Sequence, residues 1–153
     1  MPTLTSSTII GNSFKSLYGL LTGANGVTDP ASRSIARSAW VFPEFPDENG
    51  DDFPGYPVIT IKTDTSYSPL LYGRQGRDIK ISFMITAFTK KNEQVDSITD
   101  NILAIINTYQ STLEAFKMFN PTVTNSTTTT EFRSPEDKIH MRTSFVDYEV
   151  KSL

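Results

Sequence analysis

The feature that most constrains the fold is a change of hydrophobic period in the middle of the chain. Between Ile79 and Ala87 every second residue is apolar and faces one side, which is typical of a strand with one buried face. Between Val95 and Phe116 apolar residues recur at intervals of three and four, which predicts an amphipathic helix of more than about five turns. Both elements must bury their apolar sides, so we expect the helix to pack on a sheet.

The residues before this strand predict a helix, a long connection and another strand. An apolar stripe from Ile10 to Leu21 fits a short helix that ends at Gly23, with N-cap oxygens offered by Ser6–Thr8. The segment Y-P-V-I-T-I-K-T-D, residues 56–64, alternates like a strand. We predict that it forms a hairpin with the strand after it, joined by a long loop over Asp64–Arg77.

The residues after the long helix predict more β-structure. Asn92 is a plausible N-cap for that helix, and Pro121 limits its continuation. A Thr-rich segment, an S-P-E-D turn and an alternating run over 138–150 follow. The order predicts one α+β domain over residues 1–153. Its single antiparallel or mixed β-sheet has a long hairpin loop and is packed by a short N-terminal helix and a long central helix.

The connection over residues 24–56 is unusual because it combines several prolines with large aromatic residues. Prolines interrupt regular hydrogen bonding, whereas a disordered linker is normally poor in aromatic residues. We therefore expect the aromatic side chains to pin this segment onto its own domain or onto a neighbouring subunit. The expected loop anchors are Trp40, Phe42, Phe45 and Phe53.

Composition excludes several classes of function. The chain has no cysteine and one histidine, which rules out disulfides and Cys-ligated metal sites. A formal charge of −3, from 14 basic and 17 acidic residues, lacks the basic excess typical of nucleic-acid binders. The arginines Arg33 and Arg37 are not interleaved with aromatics as a nucleic-acid platform would be. Apolar runs are far shorter than the roughly 20 residues of a membrane helix, so we expect a soluble protein used without export.

Two glycine-containing motifs invite ligand hypotheses that their context disfavours. G-R-Q-G-R, residues 73–77, leads into a strand and lacks the Lys-Ser/Thr pair and the helix start of a phosphate-binding loop. D-E-N-G-D-D, residues 47–52, fits the first, third and fifth positions of a calcium loop, but its sixth position is Asp52 instead of glycine and its twelfth is Val58. A contact loop and a solvated acidic loop are the favoured interpretations.

Catalytic constellations are also weakly supported. His140 lies in a predicted strand, with Arg142 and Ser144 on the same face, and no G-x-S-x-G nucleophile elbow is present. The carboxylates that could pair for hydrolysis are better explained by helix starts and turns; they are Asp96, Asp100, Glu131, Glu136 and Asp137. We predict no catalytic residues, no cofactor and no metal.

The order of elements resembles the tail-terminator (tail-completion) proteins of long-tailed bacteriophages. The resemblance lies in Y-P-V-I-T-I-K-T-D, a hairpin loop, R-D-I-K-I-S-F-M-I-T-A-F-T, and then K-N-E-Q-V-D-S-I-T-D-N-I-L-A-I-I-N. The preceding short helix and the concluding β-rich segment also follow the family's order, so the resemblance spans most of the chain. The connection over 24–56 is longer than the family pattern suggests.

The resemblance implies a structural virion protein and not an enzyme. It implies a homohexameric ring that caps the finished tail tube, ends its polymerisation and joins the tail to the neck. The implied partners are the tail tube protein and a neck or head-completion protein, with no membrane, and with DNA only as cargo passing through the ring. The implied location is the virion, and the host cytoplasm during assembly.

The loop between the two central strands is the predicted contact between subunits or between rings. Its glycines allow tight turns, and its other residues combine apolar surface with guanidinium groups that bind carboxylates. The contact residues are Leu70, Leu71, Tyr72, Arg74, Gln75 and Arg77. Two alternatives stay open, namely another neck or head-completion adaptor ring and a small hydrolase or ligand-binding domain.

Overall fold

The computed structural model describes residues 9–71, 77–134 and 137–152. Its helices are α1 (Ile9–Thr22), a 3₁₀ turn (Arg37–Ala39), α2 (Asn92–Thr108) and α3 (Gln110–Ala115). Its strands are β1 (Val41–Phe42), β2 (Val58–Leu71), β3 (Arg77–Thr89), β4 (Met118–Asn125), β5 (Thr129–Ser134) and β6 (Asp137–Ser152). The strands form one mixed sheet in the order β1-β2-β3-β6-β4, with β5 also on β6. The predicted α+β class is confirmed.

Two long antiparallel hairpins make up most of this sheet. The first is β2 with β3, paired from Val58↔Phe88 to Leu71↔Arg77. The second runs through β4 and then β5, both of which pair with β6. The hairpins join where β3 lies against β6, from Arg77↔Ser152 to Thr89↔His140. Because this central pairing is antiparallel, the two hairpins close at opposite ends of the sheet.

One face of the sheet holds the core. Alternate residues of β3 and β6 are fully buried there, and helices α1 and α2 contribute their apolar stripes. This is the one-sided burial that the two-residue and the three-four periods predict. The buried cluster includes Leu17, Leu21, Trp40, Ile59, Ile61, Ile81, Phe83, Ile85, Ile98, Ile102, Leu113, Val146, Tyr148 and Val150.

The opposite face of the sheet, here called the open face, carries both apolar and polar side chains, some buried and some half-buried. Met84 and Phe145 are half-buried neighbours on β3 and β6. Polar pairs flank them: the Ser82 hydroxyl donates to the Asp147 carboxylate, and the hydroxyls of Thr86 and Thr143 are hydrogen-bonded at 2.9 Å. Such hydroxyl and charged cross-strand pairs stabilise a sheet locally by about 0.2–1 kcal/mol each.

The long hairpin loop that the sequence predicts over Asp64–Arg77 is wrong in its extent. Strand β2 continues to Leu71, and the pairing resumes after an irregularity between Thr63 and Tyr67. The polar residues of this segment hide the strand, because the alternation test needs apolar residues on one face. The backbone of β3 supplies the hydrogen-bond partners that make it a strand.

The single long helix predicted between Val95 and Phe116 is interrupted. Helix α2 ends at Thr108, Tyr109 leaves helical geometry (φ −105°, ψ 22°), and α3 begins at Gln110. The predicted N-cap Asn92 is instead the first helical residue, after Lys91 at the cap position. Leu113 of α3 is still fully buried, so the apolar rhythm continues across a break in the backbone.

The β-structure after the helices begins earlier than the sequence predicts. Strand β4 starts at Met118 and runs through Pro121, where its pairing with β6 shifts register. Proline is tolerated in a strand at an edge or a bulge, and β4 offers both. The connection 24–56 also contains the 3₁₀ turn and β1, which pairs with β2 in parallel at Val41↔Ile59.

Tyr148 places a hydroxyl in the core without a hydrogen-bond partner in the described part of the chain. An unsatisfied buried hydroxyl costs about 1–3 kcal/mol. We therefore expect Tyr148→Phe to raise the free energy of unfolding in urea by about 1 kcal/mol. Tyr18→Phe is the matched control, because the Tyr18 hydroxyl donates to the Val41 carbonyl at 3.0 Å, and it should lower that free energy by about the same amount.

The same substitution should also change the response to alkali. Burial raises the pKa of Tyr148 far above the ordinary 10.0, so the folded state keeps a proton that the unfolded state loses above that pH. Wild-type stability should then fall above pH 10 by up to about 1.4 kcal/mol per pH unit from this group. The stability of Tyr148→Phe should fall less steeply over the same pH range. A variant less stable than the wild type at neutral pH would contradict the assignment.

Candidate interaction surfaces

Three of the predicted contact residues lie where the described pairing of β2 with β3 ends. Leu70 and Leu71 are the last residues of β2, and Arg77 is the first residue of β3, paired with Leu71. Tyr72, Arg74 and Gln75 lie outside the described residues. Along β6, the register places this end two residues past Val150, a fully buried core residue. The hairpin therefore closes just beyond the core, at the opposite end of the sheet from the β5–β6 turn.

The expected loop anchors lie on the chain's own body. Trp40 is 1% exposed and belongs to the core, and its carbonyl accepts a hydrogen bond from the Ile59 amide at 3.0 Å. Phe42 is half-buried in β1. These two residues attach the connection to the outer side of β2.

Phe45 and Phe53 form an aromatic cluster with Tyr56 and Phe88. The ring of Phe45 meets Phe88 of β3 edge-on at a centroid distance of 4.8 Å, and Phe53 meets Tyr56 edge-on at 5.3 Å. Edge-to-face pairs of this kind contribute about 0.5–1.5 kcal/mol each beyond burial. The cluster lies at the end of the open face near Phe88, so the loop covers part of the face that the helices leave uncovered.

Arg33 holds the end of this loop in place. Its guanidinium donates to the carbonyl oxygens of Gly55 at 2.8 Å and Pro57 at 2.7 Å, and more weakly to Pro54. Its Nε is bonded to the Asp29 carboxylate at 2.6 Å, and the guanidinium lies over the Trp40 ring, 5.6 Å from its centroid. The Arg33 side chain is 18% exposed. These bonds use the planar fork of arginine, which lysine lacks.

Arg37 makes a similar attachment closer to helix α1. Its Nε donates to the Val27 carbonyl at 2.8 Å, and Nη1 donates to the Gly23 carbonyl at 2.9 Å. The chain is so tightly folded here that a Cβ on Gly26 would stand 2.1 Å from the Leu21 carbonyl oxygen. Both arginines therefore have structural roles that the sequence analysis missed.

The acidic segment 47–52 forms a turn. The Asp47 carboxylate accepts from the Asn49 amide at 3.0 Å, and its carbonyl accepts from Gly50 at 3.0 Å. This is the Asx-type geometry that Asp adopts in turns. Among the described residues, no group of three metal-binding side chains is found.

The residues considered for catalysis are dispersed. Nδ1 of His140 is hydrogen-bonded to the Thr130 hydroxyl at 3.0 Å across β5 and β6. The Asp96 carboxylate of α2 pairs with Arg142 at 2.7 Å, and Asp137 pairs with Lys90 at 2.9 Å. Each side chain thus links two elements of the fold. Glu136 lies outside the described residues.

The described residues form clefts on the surface, two of which are large enough to consider as binding sites. A groove of about 370 Å³ between α1 and α3 is mostly apolar, with Leu20 and Phe116 as its walls and Lys15 at its rim. A cleft of about 590 Å³ lies where α2 begins, between the aromatic loop and Lys90–Lys91. In the second cleft, Lys90 lies over the Tyr56 ring at 5.5 Å, and the Tyr56 hydroxyl bonds to Glu48 at 2.8 Å. The second cleft therefore has both an aromatic wall and charged side chains of both signs.

Comparison with known proteins gives no relative from which to assign a family: no family model and no curated protein matches this chain. Among the described residues, no helix has both the length and the apolar character needed to cross a membrane.

Proposed function

We propose that this protein is a structural subunit of a phage virion that forms a homohexameric ring at the end of the tail tube. The observation that carries the proposal is the order of its elements. A short helix precedes a long hairpin, a long helix follows it, and a second hairpin closes the sheet. The resemblance to tail-terminator proteins of long-tailed phages rests on this same order. In this role the ring ends tube polymerisation and joins the tail to the neck.

The distribution of surfaces supports a subunit with contacts on several sides. A closed ring needs two different patches on each subunit, each complementary to the other. The end of the β2–β3 hairpin supplies one patch in this proposal, and the apolar groove between α1 and α3 is available as another. The tail tube protein and a neck or head-completion protein are the proposed partners on the two ring faces. DNA passes through the lumen without sequence-specific contact.

A small ligand-binding domain is the second candidate. The observation that favours it is the cleft of about 590 Å³ at the start of α2, where aromatic walls adjoin Lys90 and Lys91. Clefts of roughly this size hold small organic ligands in other proteins. This alternative requires no ring.

The mass of the purified protein in solution separates the two candidates. Light scattering coupled to gel filtration should give about six times the chain mass of 17.1 kDa, and negative-stain electron microscopy should show rings with an open centre. A protein that stays monomeric at all concentrations, including in the presence of preformed tail tubes, contradicts the ring. An adaptor ring elsewhere in the neck would form hexamers that do not bind tube ends.

A further inference from the structure

The outer edge of strand β4 is a place where a second copy of the chain could add a strand. In the described residues β6 is the one strand that pairs with β4, and the Met118 carbonyl of β4 accepts from the Gln110 side-chain amide at 3.4 Å. Such an edge is a template for strand addition, which leads to uncontrolled association. Whether copies of this protein join through their sheets or through side chains depends on this edge.

Several features make the β4 edge irregular. The register with β6 shifts between Phe119 and Thr122. Asn120 lies inside that shift with φ +52°, and Lys117 just before the strand has φ +66°, values that are rare for residues with a side chain. Pro121 follows and has no N–H to donate. A bulge, a proline and a twisted backbone are the devices that protect sheet edges.

The other edge of the sheet is irregular in the same way. Strand β1 is only two residues long and covers Ile59 and Thr60 of β2. Beyond it, the pairing of β2 with β3 shifts between Thr63 and Tyr67, and Pro69 follows within the strand. Both edges of one sheet thus combine a register shift with a proline, which a single local constraint would not explain.

We propose that these irregularities are edge guards that prevent the sheet of one copy from continuing into the sheet of another. Regular antiparallel pairing requires an unbroken ladder of N–H and C=O groups. Each proline removes one donor from that ladder, and each register shift displaces the neighbouring groups. Along β4 and β2, contacts between copies are therefore made by side chains and not by strand addition. This goes beyond the proposed ring, because it applies to any assembly the chain forms.

The test is to make β4 regular. Asn120→Thr with Pro121→Thr restores the missing N–H and introduces β-branched residues that disfavour positive φ. We expect sedimentation velocity to show species larger than the wild-type oligomer, appearing at a roughly tenfold lower concentration than in the wild type. Thioflavin T fluorescence should rise in parallel, as strands add edge to edge.

Asn120→Gly is the matched control. It removes the same side chain, whose amide donates to Glu149 at 3.1 Å, but it keeps the proline and favours positive φ. It should sediment like the wild type. Circular dichroism must show that each variant is folded. If the double variant Asn120→Thr/Pro121→Thr does not fold, the same sedimentation and thioflavin T measurements are made on Pro121→Thr alone, with the same expected increase in association. A folded variant with wild-type association, or equal extra association in the glycine control, overturns the proposal.

Discussion

Replacing Arg33 with methionine is expected to lower the free energy of unfolding by about 3 kcal/mol and to loosen the loop before β2. The guanidinium serves the carbonyls of Pro54, Gly55 and Pro57 and the carboxylate of Asp29 together. Methionine has a similar reach but donates no hydrogen bond. The carbonyls lose a charged donor, and Asp29, whose side chain is 9% exposed, loses its cation.

The single tryptophan reports this change directly, because the Arg33 guanidinium lies over the Trp40 ring. Urea unfolding followed by tryptophan fluorescence gives the free energy, and hydrogen exchange over residues 43–57 gives the local effect. Arg33→Lys keeps the positive charge but not the planar guanidinium, so its free energy of unfolding should fall by about half as much as that of Arg33→Met. Lys15→Met, which removes an exposed cation, should stay within about 0.5 kcal/mol of the wild type. An Arg33→Met variant as stable as the wild type would disprove the role of Arg33 in holding the loop.

The sequence predicts those parts of the fold whose burial has a clear period. Strand β3 and helices α1 and α2 each bury one face against a single core, so alternation and the three-four rhythm identify them. The interruption at Tyr109 escapes the same reasoning. Leu113 on the far side of the break keeps its place in the core, and periodicity records which side chains are buried, not where the backbone hydrogen bonds stop.

The sequence also does not show which strands lie at the edge of the sheet. Pro121 argues against a central strand, and it lies in β4 because β4 pairs on one side in the described structure. The polar residues after Thr63 look like a loop, yet β3 pairs with them as far as Leu71. In both cases the partner strand decides the conformation, and the identity of that partner is set by the whole fold.

The candidate surfaces depend even more on long-range contacts. The aromatic residues at 40–53 were recognisable as anchors, but the arginine that holds their loop was not. Arg33 bonds carbonyls more than 20 positions away, and no residue type marks a backbone carbonyl as an acceptor. The sequence therefore shows neither which arginine holds the loop nor which carbonyl oxygens it binds.

Shortening the β2–β3 hairpin is expected to abolish ring formation and tube capping while leaving a folded protein. The register shows where to cut. Leu70 pairs with Asp78, so replacing residues 71–77 with Asn-Gly leaves these two residues joined by a two-residue turn of the type that favours hairpins. The fully buried residue nearest the cut, Val150, keeps its partner Ile79. The change therefore removes all of the predicted contact residues except Leu70.

Thermal unfolding by circular dichroism should show a cooperative transition close to that of the wild type, since the removed pairs lie past the buried rows. Light scattering should then give a monomer, and tail tubes assembled with the variant should exceed normal length. Asp51→Ser with Asp52→Ser is the matched control, because it changes charge on an exposed turn far along the chain from the hairpin end, and it should form normal rings. If the shortened variant still forms hexamers and gives tails of normal length, this segment does not make the contact. The ring would then be held together by other surfaces.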